Sequence, residues 1–357
     1  MDNIIVNADS MEHLKSLDDN IFDSCVTDPP YHLASIVKRF GPGQKGINNQ
    51  DEKEGRKGPY HRAVTGFMGQ TWDGGDIAFQ KEFWKQVYRV MKPGAVLLAF
   101  AATRNYHRLG VAIEDAGFEI FDMINWIYGS GFPKRRNLLK PAHEPIVMAR
   151  KGVNKELNLD ECRVELSEDD NLQEGLKRNG SKLDTTDISE AFNFKKLDRE
   201  PGLGRWPANV IHDGSDEVVD SFPSKSTTGH WPKVKVTGYG NMGKEIGGQK
   251  SAKEDYLGVG PQSKDEGSVA RYFYSAKANK KEKGDTKHPT VKPLSLMRYL
   301  IKLVTPKEGL VLDPFAGTGT TGEACILENR KYYLIEKTKE YIPDIENRLN
   351  KYGRLGI

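Results

Sequence analysis

Two short motifs, each at the end of an apolar run, constrain this chain most. Ile21–Thr27 delivers Asp28-Pro29-Pro30-Tyr31, and Gly309–Leu312 delivers Asp313-Pro314-Phe315-Ala316-Gly317-Thr318-Gly319-Thr320. A run that stops at an acidic, proline- or glycine-rich corner reads as a strand ending in a ligand-facing loop. Two such corners predict parallel strands whose carboxyl ends share one edge of an open α/β sheet, where such sheets place their ligands.

The rest of the pattern agrees with an α/β fold. Ile4–Val6 predicts a strand. Ser10–Leu17 predicts a short helix, with Met11, Leu14 and Leu17 on one side. Phe79–Met91 carries Phe83, Val87, Val90 and Met91 at helical spacing. Pro93-Gly94 should stop that helix, and Ala95–Ala101 should be a buried strand of the parallel type. Arg104–Ala116 is a helix closed by Gly117, followed by strands over 118–128 and 143–149. The alternation resumes after Pro293. Leu294–Val304 and Thr318–Glu328 are helices, Gly309–Asp313 and Lys331–Glu336 strands, and Lys339–Leu349 a last helix.

Residues 151–275 break the rhythm. Their first half is charged and their second half rich in Gly, Lys, Ser and Pro, too long for a plain connection in a compact domain. The expected division is therefore 1–150 and 276–357 as two halves of one sheet, with 151–275 inserted.

Charge and cysteine content narrow the classes. The net charge of +3 does not itself require a nucleic-acid partner, but the basic residues cluster. Lys38, Arg39, Lys45, Lys53, Arg56, Lys57 and Arg62 fall within a basic, glycine-rich segment, 35–73. Lys134-Arg135-Arg136 with Lys140 forms a second group, and Lys277, Lys280, Lys281, Lys283 and Lys287 a third. Such patches suit phosphates, and they also suit ordinary solvated loops. Cys25, Cys162 and Cys325 have no paired spacing for a metal or a disulfide framework. No run approaches the ~20 apolar residues of a membrane helix. The N-terminus lacks a signal-peptide layout. A reducing cytoplasm is the expected location.

The C-terminal corner has the parts of a mononucleotide unit: a strand, a glycine-rich turn, a helix, and a second strand ending in Glu336. Gly317 and Gly319 lack Cβ atoms and allow a ligand near the backbone. Asp313 suits an ammonium group, and Glu336 suits the two hydroxyls of a ribose. No Gly-Lys-Ser/Thr follows the turn, which disfavours ATP.

The N-terminal corner suits an exocyclic base amine. Such an amine is a poor nucleophile because its lone pair is delocalised into the ring. Two fixed acceptors, Asp28 and a backbone carbonyl of Pro29-Pro30, pull the nitrogen toward tetrahedral geometry. The prolines fix φ and carry no N–H, so the corner offers acceptors only. Tyr31 offers a ring for stacking. Phe67-Met68 is a candidate wedge for the base stack, although a core contact suits Phe67 equally well.

These residues resemble the β-class amino-methyltransferases that act on DNA in bacteria and their phages. In that class the Asp-Pro-Pro-Tyr motif comes first and the Phe-x-Gly-x-Gly motif last, which is the order here. Lys287-His288-Pro289-Thr290-Val291-Lys292-Pro293 resembles the family's stretch before the cofactor turn, and Arg89–Gly94 its helix-to-strand junction. Phe67–Asp73 and Gly204–Asn209 resemble segments of prophage members.

The resemblance implies a Rossmann-like S-adenosylmethionine methyltransferase sheet, circularly permuted, with 151–275 as an inserted target-recognition region. Residues 35–73 would be a DNA-side loop. It implies S-adenosylmethionine as cofactor, held by Asp9, Thr290, Lys292, Asp313, Phe315, Gly317, Gly319, Thr320 and Glu336. Asp9, placed in the first helix turn, would meet the cofactor's adenine amino group, and Thr290 and Lys292 its methionine end. Asp28, Pro29, Pro30 and Tyr31 would be catalytic. The partner would be double-stranded DNA with the target base flipped out. Asp rather than Ser at position 28 favours the 6-amino group of adenine. The 4-amino group of cytosine, a catalytically silent DNA-binding relative and a small-molecule methyltransferase remain alternatives. Arg205, Asn209, Asn241 and Arg271 are candidate base readers. Dimers are common in the class, and the chain does not show whether a restriction enzyme accompanies it.

Overall fold

Parallel pairing of apolar strands organises the chain. The computed structural model describes residues 3–31, 76–131, 139–153, 156–165, 204–223, 268–276 and 291–353. The 35–73 segment, the 277–287 lysines, Phe67-Met68, Lys134–Arg136, Asn241 and Thr290 lie outside the described residues. The strands are β1 (Ile4–Asn7), β2 (Phe22–Thr27), β3 (Met91–Phe100), β4 (Glu119–Ile127), β5 (His143–Arg150), β6 (Val210–His212), β7 (Tyr274–Ser275), β8 (Leu310–Asp313) and β9 (Lys331–Glu336). They form one sheet in the order β1-β9-β8-β2-β3-β5-β4-β6-β7.

The five strands from β1 to β3 in that order are parallel, so Asn7, Thr27, Asp313 and Glu336 all end at the same edge. β5 runs antiparallel to both β3 and β4. From β8 the chain proceeds outward to β9, and from β2 it proceeds the other way to β3. The direction of winding therefore reverses between β8 and β2, and such a reversal opens a crevice at the carboxyl ends of the two strands.

The helices are α1 (Ser10–Lys15), α2 (Lys81–Val90), α3 (Tyr106–Asp115), α4 (Asp216–Val219), α5 (Leu294–Val304), α6 (Thr320–Leu327) and α7 (Ile342–Asn350). Alternation along β3 shows how they are used. Val96, Leu98 and Phe100 join the buried cluster of α5, α6 and α7, while Ala95, Leu97 and Ala99 join that of α1, α2 and α3. Period-two side chains thus cover both faces of a central strand. The expected open α/β sheet forms, and it carries helices on both faces. β3 differs from expectation in beginning at Met91, so that Pro93 and Gly94 lie within the strand rather than ahead of it. The ladder tolerates them because the β2 pairing slips between Met91 and Val96.

Contacts divide the chain into two units. One comprises 1–163, 206–218 and 273–357, and contains the whole nine-stranded sheet. The other comprises 164–205 and 219–272, and within it Val164 and Arg205 form an antiparallel bridge. β6 and β7 therefore come from sequence within 151–275 yet complete the sheet, β6 pairing in parallel with β4. Period-two analysis does not reveal strands of three and two residues. Among the described residues no helix is long and apolar enough to cross a membrane.

α6 is buried on nearly every side, and it reaches the sheet through a glycine. A Cβ on Gly322 would lie 2.8 Å from the Leu334 side chain and 3.2 Å from that of Leu349. Gly322→Val should cost about 1–3 kcal/mol of stability by overpacking, read as a lower midpoint in urea unfolding. A wild-type midpoint would show that the helix can simply lift away.

Candidate active site

The crevice between β8 and β2 is a cleft of about 450 Å³, within the size range of cofactor sites. Asp9, Asp28, Pro30, Ile77, Lys292, Asp313, Phe315, Gly317, Thr320 and Glu336 line it, among others. Both sequence motifs therefore open into one space, although 285 residues separate Asp28 from Asp313.

Asp313 holds the two corners together. Its Oδ1 accepts the Thr27 hydroxyl at 2.7 Å and the Phe315 N–H at 3.1 Å, and its Oδ2 accepts the Thr321 hydroxyl at 2.5 Å. These bonds fix the turn after β8 against the end of β2. Burial pushes the Asp313 carboxyl up to about 6, against the downward pull of its three donors and with Asp28 adding to the rise.

Glu336 closes the turn from the other side. One oxygen accepts the Gly317 N–H at 2.9 Å and the other the Thr338 N–H at 2.7 Å. Burial raises its carboxyl above the ordinary value, opposed by these donors. Gly317 has φ near +55° and lines the cleft, which suits a close backbone approach. Gly319 does something else. Its φ is near +79°, and a Cβ there would lie 2.9 Å from Ile345, so its small size lets α7 pack on the start of α6. Phe315 packs on Phe83 of α2, with ring centroids 5.2 Å apart, and lines the cleft.

Asp9 is the N-cap of α1 rather than part of its first turn. Its Oδ1 accepts from the N–H groups of Met11 and Glu12, and its Oδ2 pairs with Lys337 at 2.9 Å. Burial raises its carboxyl, but the Lys337 ammonium and the two N–H donors outweigh that and leave it below the usual carboxylate range.

The Asp-Pro-Pro-Tyr corner contains a partner that the sequence did not disclose. Asp28 pairs with Lys292 at 2.8 Å and accepts the Tyr31 hydroxyl at 2.8 Å. Glu144, at the start of β5, meets the same two donors. Asn105, just before α3, donates its amide N–H to the Tyr31 carbonyl and holds the corner's exit. Burial would strip the Lys292 proton, but Asp28 and Glu144 more than offset it and hold the ammonium above its ordinary value. The charge of Lys292, expected toward the cofactor, is spent on these carboxylates. Glu144 carries no local signal: an acid one residue before a proline at a strand start, 113 residues from Tyr31.

Three other candidates have structural partners. Asn209 donates to Asp122 at 3.1 Å, while Arg205 and Arg271 lie over the ring of Tyr272. Cys25, Cys162 and Cys325 are buried and free, as expected of core thiols.

A family model for DNA methylases, the N6/N4 methyltransferases, matches residues 22–347. The chain belongs to this family. The type II methyltransferase M2.LlaDCHI of Lactococcus lactis subsp. cremoris is 40% identical over 355 residues, covering 99% of this chain and 91% of its own. M.HindIII of Haemophilus influenzae is 26% identical over 370 residues, covering 97% and 94%. Among solved structures, the PvuII DNA methyltransferase (cytosine-N4-specific) aligns with a TM-score of 0.48 at 17% identity, over 98% of this chain and 86% of that one.

This methylase therefore acts on double-stranded DNA and takes its methyl group from S-adenosylmethionine. The cleft's donor set fits that cofactor. It offers carboxylates for hydroxyl and amino groups, a glycine turn for close approach, and Phe315 with Ile77 as apolar walls.

The raised Asp313 carboxyl has a measurable consequence. Between the ordinary aspartate range and about pH 6, the folded chain binds a proton that the unfolded chain does not. That contribution to stability is complete at low pH and is lost as pH rises through about 6. Asp313→Asn removes it, so any melting-temperature advantage of the wild type over the variant should shrink between about pH 4 and 7. A gap independent of pH would show that Asp313 does not titrate in this way.

Proposed function

We propose that this methylase modifies the 6-amino group of adenine at a specific site in double-stranded DNA, as the modification enzyme of a restriction–modification pair. The observation that carries the reading is that Asp28 and the cofactor turn line one cleft. An amine held by Asp28 thus lies beside a methyl donor held at Phe315 and Gly317.

S-adenosylmethionine, when bound, supplies an electrophilic methyl group on a sulfonium. The protein's part is to hold and activate the nucleophile. Asp28 accepts one amine hydrogen, and a carbonyl of Pro29-Pro30 accepts the other. The nitrogen lone pair is thereby freed for direct transfer, without a covalent enzyme intermediate: the N–C bond would form as the donor's S–CH3 bond breaks to a neutral thioether, and the cationic nitrogen would then lose one proton to solvent. Acceptors fixed in advance favour the cationic amine that develops. The Tyr31 ring stacks on the flipped base, whose extrusion costs a few kcal/mol.

On the cofactor side, Glu336 takes the ribose hydroxyls, Phe315 lies against the adenine, and Asp9 faces its amino group. Gly317 lets the amino acid portion approach beside Thr320, Thr290 and Lys292 serve its methionine end, and Asp313 and Gly319 shape the turn. The 35–73 segment contacts DNA, and 151–275 carries the base-reading residues. The assignment to adenine rests on Asp at position 28, which the β-class pairs more often with adenine than with cytosine.

The decisive test is mass spectrometry of nucleosides from unmethylated genomic DNA incubated with enzyme and S-adenosylmethionine. A 6-methyladenine signal is expected. A 4-methylcytosine signal would keep the mechanism and overturn the base. Asp28→Ala should lower transfer at least about a hundredfold with cofactor affinity near wild type, and an active variant refutes the role given to Asp28. Phe315→Ala should weaken cofactor binding about tenfold by calorimetry; unchanged affinity removes Phe315 from the site.

A further inference from the structure

Asp28 enters the cleft with both carboxylate oxygens engaged. Oδ1 accepts the Tyr31 hydroxyl at 2.8 Å, and Oδ2 takes the Lys292 ammonium at 2.8 Å. The same two donors also reach one oxygen of Glu144, Tyr31 at 3.1 Å and Lys292 at 3.0 Å. Two donors therefore span the same two carboxylates. Phe100 lies 4.8 Å from the ammonium, and only a tenth of the Lys292 side chain is exposed. Among the described residues, the other titratable groups facing this cluster are Tyr128, beside Glu144 and Lys292, and Asp313, beside Asp28.

A target amine must compete for Asp28 with donors already in place. If Asp28 were their only acceptor, its release would leave a buried ammonium unpaired, which is strongly unfavourable. Glu144 removes that obstacle, because each donor has a second acceptor within hydrogen-bond reach. We propose that Glu144 is a positioning residue that takes over Lys292 and Tyr31 when the target amine claims Asp28. This rests on the reading of Asp28 as the amine acceptor. Glu144 touches neither amine nor cofactor. It sets how strongly Asp28 is held by its own protein, and so how completely it is free to accept.

The experiment measures single-turnover methyl transfer from S-adenosylmethionine to unmethylated DNA as a function of pH. It uses the full-length wild type, Glu144→Gln, Glu144→Asp and Asp28→Ala, with cofactor affinity by calorimetry and melting temperature for each. Glu144→Gln should lose about tenfold in rate while cofactor affinity stays within about twofold of wild type. The acid limb of its rate profile should move to lower pH, because a neighbouring negative charge is gone and Lys292 acts on Asp28 alone. Glu144→Asp keeps the charge but withdraws it from both donors, so its limb should stay in place while its rate falls.

An unchanged rate and limb in Glu144→Gln, with Asp28→Ala inactive, overturns the inference and leaves the role of Asp28 standing. A rate loss in Glu144→Gln with no movement of its limb makes Glu144 merely structural and also overturns it. If Glu144→Gln does not fold, a full wild-type rate in Glu144→Asp is the overturning result. A fully active Asp28→Ala defeats the acceptor reading and the inference together.

Discussion

The bond from the Thr27 hydroxyl to Asp313 joins the end of β2 to the end of β8, 286 residues apart in the chain. It lies where the winding of the sheet reverses, so it sets the floor of the cleft. Thr321 and the Phe315 N–H bind the same carboxylate. One buried acid therefore orders the turn that presents Phe315 and Gly317, and fixes that turn relative to Asp28. Shape and electrostatics meet here: the carboxyl that organises the turn lies deep enough that burial opposes its charge.

Much of the fold was legible because its signals are local. The strand Lys331–Glu336 and the helix Leu294–Val304 have the bounds that their apolar spacing predicts. The sheet's parallel core follows from runs such as Ala95–Ala101, which are apolar on both faces. What escaped depends on long-range pairing. β6 and β7 are too short to show periodicity, and the strand passes through Pro93 and Gly94 where its pairing with β2 slips in register. Asp9 was legible as an acid near a helix start, but its capping geometry was not.

The site divides in the same way. Asp28, Phe315, Gly317 and Glu336, which line one cleft, could be singled out because each sits in a motif whose residue types match a chemistry. Glu144 was not, since its meaning comes only from β5 running antiparallel beside β3 and bringing its first residues to the cleft edge. The ion pairs of Lys292 with Asp28 and Glu144 were not legible either, because sequence gives its position but not the direction of its ammonium. Gly319 carries a structural demand that its motif does not announce. A glycine in a ligand-binding motif serves the packing of two helices.

The sheet's outer strands among the described residues are β1 and β7, four and two residues long. An exposed edge is a row of unsatisfied N–H and C=O groups that a second chain can extend by adding a strand. Terminating so wide a sheet in such short strands leaves little template on either side. Margins this blunt lower the chance that an encounter between two copies of the chain becomes an edge-to-edge aggregate.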